Sequence, residues 1–304
     1  MTVLAPAPKA PQAPAGAPQA PERPDFEAEL VDPAGLVVVE RPLPRHERVL
    51  RHEAVQNGAI LVGLALVWEL YARYLDNPLL LPAFSEVLAT FVRDLWSGLL
   101  VNRVTTSLKS LALGYGAGLA LAAVFTSVAV STRIGSGLLT TLTSMFNPLP
   151  AIALLPLALI WFGLGTPSLV FVIVHSVLWA VSLNTLVGFR SVPETLRMSG
   201  RNVGLRGIRY VALILVPAAF AAILAGMKIG WAFAWRTLIA AELVFGVSSR
   251  SGGLGWYIFE ARSELETAKV FAGLFAVILI GLFVESVIFK FIERRTVLRW
   301  GMQR

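Results

Sequence analysis

From Gly58 onward the chain consists of long apolar runs separated by short polar and basic stretches. A helix that crosses a membrane needs about 20 mostly apolar residues. Six runs qualify: Gly58–Leu75, Ser107–Val130, Leu138–Leu164, Ser168–Phe189, Tyr210–Phe245 and Ala268–Ile292. The third is interrupted by Asn147-Pro148-Leu149-Pro150. The fifth is too long for a simple span. It is either one tilted helix or a helix with a re-entrant end, and a break near Gly226–Gly230 would raise the count to seven spans. Between the first two runs, Phe84, Val87, Leu88, Phe91, Leu95 and Leu99 recur at helical spacing, with Glu86, Arg93 and Asp94 opposite. That pattern predicts an amphipathic helix lying at the membrane interface.

Composition agrees with an all-α membrane protein. Of the 304 residues, 56% are hydrophobic and 15% charged, where a soluble domain carries about 25% charged residues. A soluble enzyme and a disordered scaffold are both excluded on this ground. The chain has no cysteine, which removes disulfides, thiolate metal sites and a cysteine nucleophile together. His46, His52 and His175 lie in segments of different kinds, so no multi-histidine metal site is expected.

Residues 1–57 differ in kind. Ten of the 18 prolines precede residue 45, mixed with Ala, Gln and Glu. Such a stretch buries too little apolar surface to offset its ordering entropy and is expected to be a disordered tail. Its one apolar piece, Leu36-Val37-Val38-Val39, is too short to span. It does not look like a signal peptide, because the first long apolar run begins near Gly58. A docking arm is the functional alternative to a solvated extension.

The net charge of +7 chooses the orientation. With six spans both termini share one side, which holds 17 Lys and Arg residues in the tail, at Arg133, in the loop Arg190–Arg209 and from Lys290 onward. The other side holds five: Arg93, Arg103, Arg250, Arg262 and Lys269. Basic residues accumulate in cytoplasmic loops, so both termini are expected in the cytoplasm, and the charge marks topology rather than nucleic-acid binding.

The loop at about 190–210 is the most informative. Ser191 and Glu194 have the spacing of a capping box, and Pro193 suits a first turn. Gly200, Gly204 and Gly207 permit a sharp turn before the fifth span. Gly204 followed ten residues later by Ile214, then Val216-Pro217, resembles the Glu-Ala-Ala loop of permease subunits of binding-protein-dependent ABC importers. Pro150 to Pro156 leading to Trp161 and Gly165, Trp235 to Glu242, Gly252 to Trp256, and the ending Arg294 to Met302 resemble the nitrate/sulfonate/taurine branch of that family. The resemblance covers residues 58–304.

That resemblance implies a type I importer permease of the bacterial inner membrane, moving a small oxyanion such as nitrate, a sulfonate or taurine. It implies cytoplasmic ATP-binding subunits, a second permease chain, identical or not, and an extracytoplasmic substrate-binding protein. It places Glu194, Met198, Ser199, Gly200, Gly204, Ile214 and Pro217 at the contact with the ATPase. Met198-Ser199-Gly200 stand where the family has Glu-Ala-Ala, so either Glu194 supplies the acid or a second permease chain carries more of the coupling. No phosphate-binding loop occurs in the chain, and ATP and Mg belong to the partner ATPase, with no cofactor on this chain.

Ionisable groups inside spans are functional candidates by default. In the fifth run, Lys228 and Arg236 are about 80° apart around a helix and share one broad face, while Lys228 and Glu242 are about 21 Å apart along it. Lys228, Arg236, Trp231 and the kink residue Asn147 are the candidate translocation-pathway residues, the cations forming a basic wall for an oxyanion. The structural alternative pairs Arg236 with Glu285 and has Glu242 cap an outer loop. His175 is expected to be a hydrogen-bonded packing residue, and Gly114, Gly116 and Gly118 to allow close helix contact. A secondary transporter or channel is the rival function, but no internal inverted repeat is apparent.

Overall fold

The computed structural model describes residues 53–245 and 252–297, and among them there is no strand. The expectations placed on the tail up to residue 52, on Arg250 and on the ending beyond Val297 fall outside the described residues. The chain divides into units at Asn57, and the packing described here lies within the second.

Helix α1 (Glu53–Leu75) is followed by α2 (Phe84–Trp96) and α3 (Leu99–Ser131). Next come α4 (Arg133–Phe146), a 3-10 turn (Ala151–Leu154) and α5 (Leu155–Phe162). The long α6 (Thr166–Ser191) leads to the short α7 (Glu194–Asn202) and α8 (Gly207–Tyr210). A π turn (Val211–Leu215) and α9 (Val216–Ala218) precede α10 (Phe220–Phe245). The last elements are α11 (Leu254–Ser263), α12 (Thr267–Phe283), a π turn (Val284–Phe289) and α13 (Lys290–Arg295). Among the described residues, four helices are long and apolar enough to cross a membrane, and up to six spans result if each of two bent pairs counts as one.

The bends sit where the backbone loses donors. Pro148 and Pro150 bring no N–H to the ladder, and α4 and α5 meet at 88° across that break. The helix over 207–218 meets α10 at 81°, directly after Pro217. The break in the fifth run is therefore at Ala219 and not at Gly226–Gly230. Those two glycines are contact points instead: a Cβ on Gly226 would lie 2.7 Å from the Asn184 Cβ, and one on Gly230 3.0 Å from Val181.

Helix α6 is the centre of the bundle, packed against α3 on one side and α10 on the other. Lipid offers no hydrophobic drive to helix association, so close approach through small residues matters most. Gly114 and Gly118 do this, since a Cβ there would come within 2.6 Å of Ile173 and 2.7 Å of Val177. Gly116 faces open space and takes no part.

Two expectations about ends and faces are corrected. Helix α3 begins at Leu99, eight residues before the expected apolar run: its first turns mix Leu99, Leu100 and Val101 with Asn102 and Arg103, and Leu100 is buried in the core. The helix α2 was expected to turn Asp94 outward. Its buried stripe is Val87, Thr90 and Asp94, while Leu88 and Leu95 are exposed. Tyr257 donates a 2.6 Å hydrogen bond to Asp94, which makes that burial tolerable.

Candidate functional site

The broken α4–α5 element, α6 and α10 line an open cavity of about 350 Å³. The break contributes Phe146 to Ile152, α6 contributes His175, Ser176 and Trp179, and α10 contributes Phe233, Arg236, Thr237 and Ala240. Non-helical backbone at membrane depth is tolerated only where it lines a cavity or is covered by protein, and Asn147-Pro148-Leu149-Pro150 line one. Ser176 Oγ and Thr237 Oγ1 lie 2.9 Å apart, tying α6 to α10 at this level. Their chain neighbours, His175 and Arg236, are thereby held in the same wall.

Phe146 and Trp179 stack with centroids 5.2 Å apart, and His175 meets both rings edge-on. Both ring nitrogens of His175 and the Trp179 indole N–H are buried without a hydrogen-bond partner. The expected hydrogen bond of His175 is thus absent, because its neighbours are aromatic rings. Arg236 donates from Nε to the Ala232 carbonyl at 3.1 Å, and its guanidinium lies 5.1 Å from the Phe233 ring centre. Among the described residues no carboxylate pairs with it.

The other pathway candidates go elsewhere. Lys228 Nζ is 2.7 Å from a Glu293 carboxylate oxygen on α13, so it does not share a wall with Arg236. The suggested Arg236–Glu285 pair does not form. Trp231 stacks on Trp235 at 6.3 Å and meets Tyr115 edge-on, as part of the core rather than the cavity. Of the four pathway residues, Asn147 and Arg236 are brought together, and Lys228 and Trp231 are not.

The loop after α6 folds back on itself. Ser191 Oγ donates to the Gly188 carbonyl at 2.8 Å, so the expected capping box with Glu194 is not made. Glu194 lies 3.8 Å from Arg197 and 3.9 Å from Arg201 instead. Gly200 is the buried residue of α7, and a Cβ there would meet Ile214 at 2.8 Å. Gly204 has φ of +83°, a left-handed conformation that lets the chain reverse after α7. Leu196, Met198, Val203 and Ile208 are exposed around this turn.

At the opposite end of α10, Glu242 is 5% exposed and fully engaged. Ser107 Oγ and Gly255 N–H both donate to its carboxylate at 2.8 Å, and Leu254 N–H donates to Ser107 Oγ at 2.7 Å. Glu242 therefore caps the loop leading into α11. Arg103 adds bonds to the Gly252 carbonyl at 3.0 Å and to Glu260 at 3.1 Å. In α11, burial and the hydrogen bond to Asp94 push the Tyr257 phenol well above its ordinary value.

Sequence reasoning placed His175 in hydrogen-bonded packing and missed Trp179 and the Ser176–Thr237 tie. The available signal was three polar-tipped residues at 175, 176 and 179, one helical face of an otherwise apolar run.

A family model described as "Binding-protein-dependent transport system inner membrane component" matches residues 112–297, which include the cavity and the 190–210 loop. The chain is similar to a putative ABC transporter permease of Methanocaldococcus jannaschii, 31% identical over 74% of this chain and 85% of that protein. It is 28% identical to the taurine transport system permease of Escherichia coli, over 77% of this chain and 86% of that one. The nitrate import permease of Synechocystis is 29% identical over 61% of this chain and 66% of its own.

Proposed function

The chain belongs to the family of binding-protein-dependent transport system inner membrane components, and we propose that it is the permease subunit of an ATP-driven importer of a small oxyanion, with the solute passing Arg236. Members of this family are multi-pass transport permeases of the inner membrane, not enzymes. Similar chains are named for taurine, aliphatic sulfonates and nitrate, all solutes with an anionic oxygen-bearing group. Each bent helix pair is taken as one span, which gives six and puts both termini in the cytoplasm, in keeping with the basic asymmetry. Residues 58–304 form the permease domain and residues 1–57 a dispensable tail. Removing residues 1–45 is expected to leave assembly and uptake near normal in a vesicle transport assay, and loss of the complex would refute this.

The turn of α7 is the docking element for the ATPase subunit, which holds ATP and Mg. Leu196, Met198 and Val203 offer an apolar tip, and Gly200 against Ile214 seats the helix on the following segment. Pro217 sets the bend behind it. A second permease chain and an extracytoplasmic binding protein complete the importer, the binding protein delivering solute on the Glu242 side.

The observation that carries this proposal is the state of Arg236: a cation in a span, lining a cavity, with no carboxylate partner among the described residues. Arg236 is exposed along α10; a cation within a span is costly in lipid unless paired or useful, and an unpaired one that faces water attracts an anion without trapping it. Arg236→Met is expected to lower uptake at least tenfold while Tm shifts by less than about 2 °C, the equivalent of under 1 kcal/mol for a domain of this size. Normal uptake, or failure to assemble, would refute the assignment.

A further inference from the structure

A second recess lies on the other face of α6. Ser176 and Thr185 are about half a turn apart around a helix; the first lines the cavity, and the second lines a groove between α3 and α10. The floor of the groove is Val181, Thr185 and Phe189 of α6, all buried. Its walls are Leu119 and Ala123 of α3 and Ile223 and Met227 of α10. Ala123 is exposed, so the groove opens sideways between the two helices. Tyr115 donates a 2.9 Å hydrogen bond to the Met227 carbonyl and ties the walls together at one end. The Thr126 hydroxyl beside the floor is already bonded to the Ala122 carbonyl at 2.7 Å, and no charged residue lines the groove.

Size and depth decide what fits. From Val181 to Phe189 the floor runs about 12 Å along α6, and the groove has a volume of about 240 Å³. The cross-section is then about 20 Å², a quarter of that of an α-helix about 10 Å wide, so a partner helix does not enter. At roughly 30 Å³ for a water-sized group, the groove holds a single file of about eight methylene-sized groups. All three helices are span candidates, and what a bilayer supplies at that depth is hydrocarbon chain.

The end away from Tyr115 meets charge. Phe189 and Val216 line it, and they bracket the 190–210 loop, which carries five arginines against Glu194 alone. Glu194 is engaged by Arg197 and Arg201. Arg197 also donates to the Phe189 carbonyl, which brings that basic loop to the rim of the groove. Arg206 and Arg209 are exposed on the stretch leading into Val216 and have no carboxylate partner among the described residues. Lipid gives no hydrophobic drive for one chain to prefer a groove, so preference falls to the head, and basic groups beside such a groove favour an anionic one.

We propose that this groove binds one anionic phospholipid, with a single acyl chain on the α6 floor and the phosphate-bearing head on Arg206 and Arg209. The site is separate from the solute path and requires only that α3, α6 and α10 span the membrane.

The test is a lipid titration of the purified full chain read by native mass spectrometry, with phosphatidylglycerol and phosphatidylcholine of equal chain length. Phosphatidylglycerol should bind at least tenfold more tightly, from about fivefold for each of two arginines. Arg206→Gln combined with Arg209→Gln, both at exposed positions, should bring it down to the level of phosphatidylcholine. Ala123→Phe, which fills the groove from its open side, should lose bound lipid of both kinds. Val124→Phe, at the next position, exposed and outside the groove, should bind like the wild type. Glycerol 3-phosphate, a head without chains, should not displace phosphatidylglycerol at equal concentration. Equal binding of the two lipids to the wild type, a preference that survives loss of both arginines, or lipid retained in Ala123→Phe would overturn the site. Displacement by glycerol 3-phosphate would make it a free-phosphate site instead, and a dimer that dissociates in Ala123→Phe with lipid unchanged would make it a contact between chains; either result overturns the proposal.

Discussion

The outer cap and the cavity both place polar side chains among apolar helices, and they treat them in opposite ways. In the cap, Glu242 receives Ser107 and Gly255, and Ser107 in turn receives Leu254, so each group has its partner within the chain. At the cavity wall, among the described residues, the Trp179 and His175 nitrogens have no partner and Arg236 has no acid. A saturated network fixes helices, because breaking one bond strands the others. Donors without partners tie no helices together. Burial and polarity alone do not separate structural from functional groups; the completeness of their partners does.

The contrast can be broken first at the cap. Glu242→Ala deletes the acceptor for two donors, each bond to a carboxylate being worth about 1.5–3 kcal/mol. A loss of about 3–5 kcal/mol is expected, seen as a Tm fall of roughly 6–20 °C in thermal unfolding of the purified chain. Unchanged Tm would mean that the cap is as dispensable to the fold as the cavity donors.

A smaller effect on the fold, with a large one on function, is expected at the α7 turn. Gly204 is left-handed with open space around its Cα, so Gly204→Val meets no neighbour but adds backbone strain of about 1–3 kcal/mol. Substrate-stimulated ATP hydrolysis of the assembled importer should fall several-fold while the chain still inserts. Full stimulation would remove this turn from the coupling path.

Least affected should be Lys228→Met. Its pair with Glu293 is about one-third exposed on both sides, and such pairs contribute at most about 1 kcal/mol. Uptake should stay within twofold of wild type. A tenfold loss would return Lys228 to the pathway and dissolve the difference between the two cations of α10. Glu293→Gln combined with Lys228→Met should then cost little more than either alone, the mark of a shared pair.

Which parts of this could be seen in the sequence follows from what each part needs. Spans are legible because the bilayer demands long apolar runs, and the Asn147–Pro150 break is legible because proline removes donors. The start of α3 at Leu99 was not, since Asn102 and Arg103 interrupt the apolar pattern that Leu99, Leu100 and Val101 begin. Nor was the burial of Asp94, which depends on a Tyr257 hydroxyl 163 residues away. At the cavity, Asn147 and Arg236 stood out as polar interruptions of apolar runs. The Lys228–Glu293 pair did not, because helical angle along one run says nothing about which acid a neighbouring helix presents. His175 looked like packing because one polar residue in a span usually finds a partner, and only the surrounding rings of Phe146 and Trp179 show that this one does not.

The central claim is that the solute passes through the cavity between the α4–α5 break, α6 and α10. Because the chain has no cysteine, single cysteines report without background. Thr237→Cys and Asn147→Cys, in the cavity wall, should react with a water-soluble anionic methanethiosulfonate in the assembled importer, and saturating transported solute should slow that reaction. Trp231→Cys, in the core, should react slowly and show no protection. Fast, solute-protected modification at 237 and 147 but not at 231 is the result expected. Unreactive cysteines at 237 and 147, or modification indifferent to solute, would contradict the account.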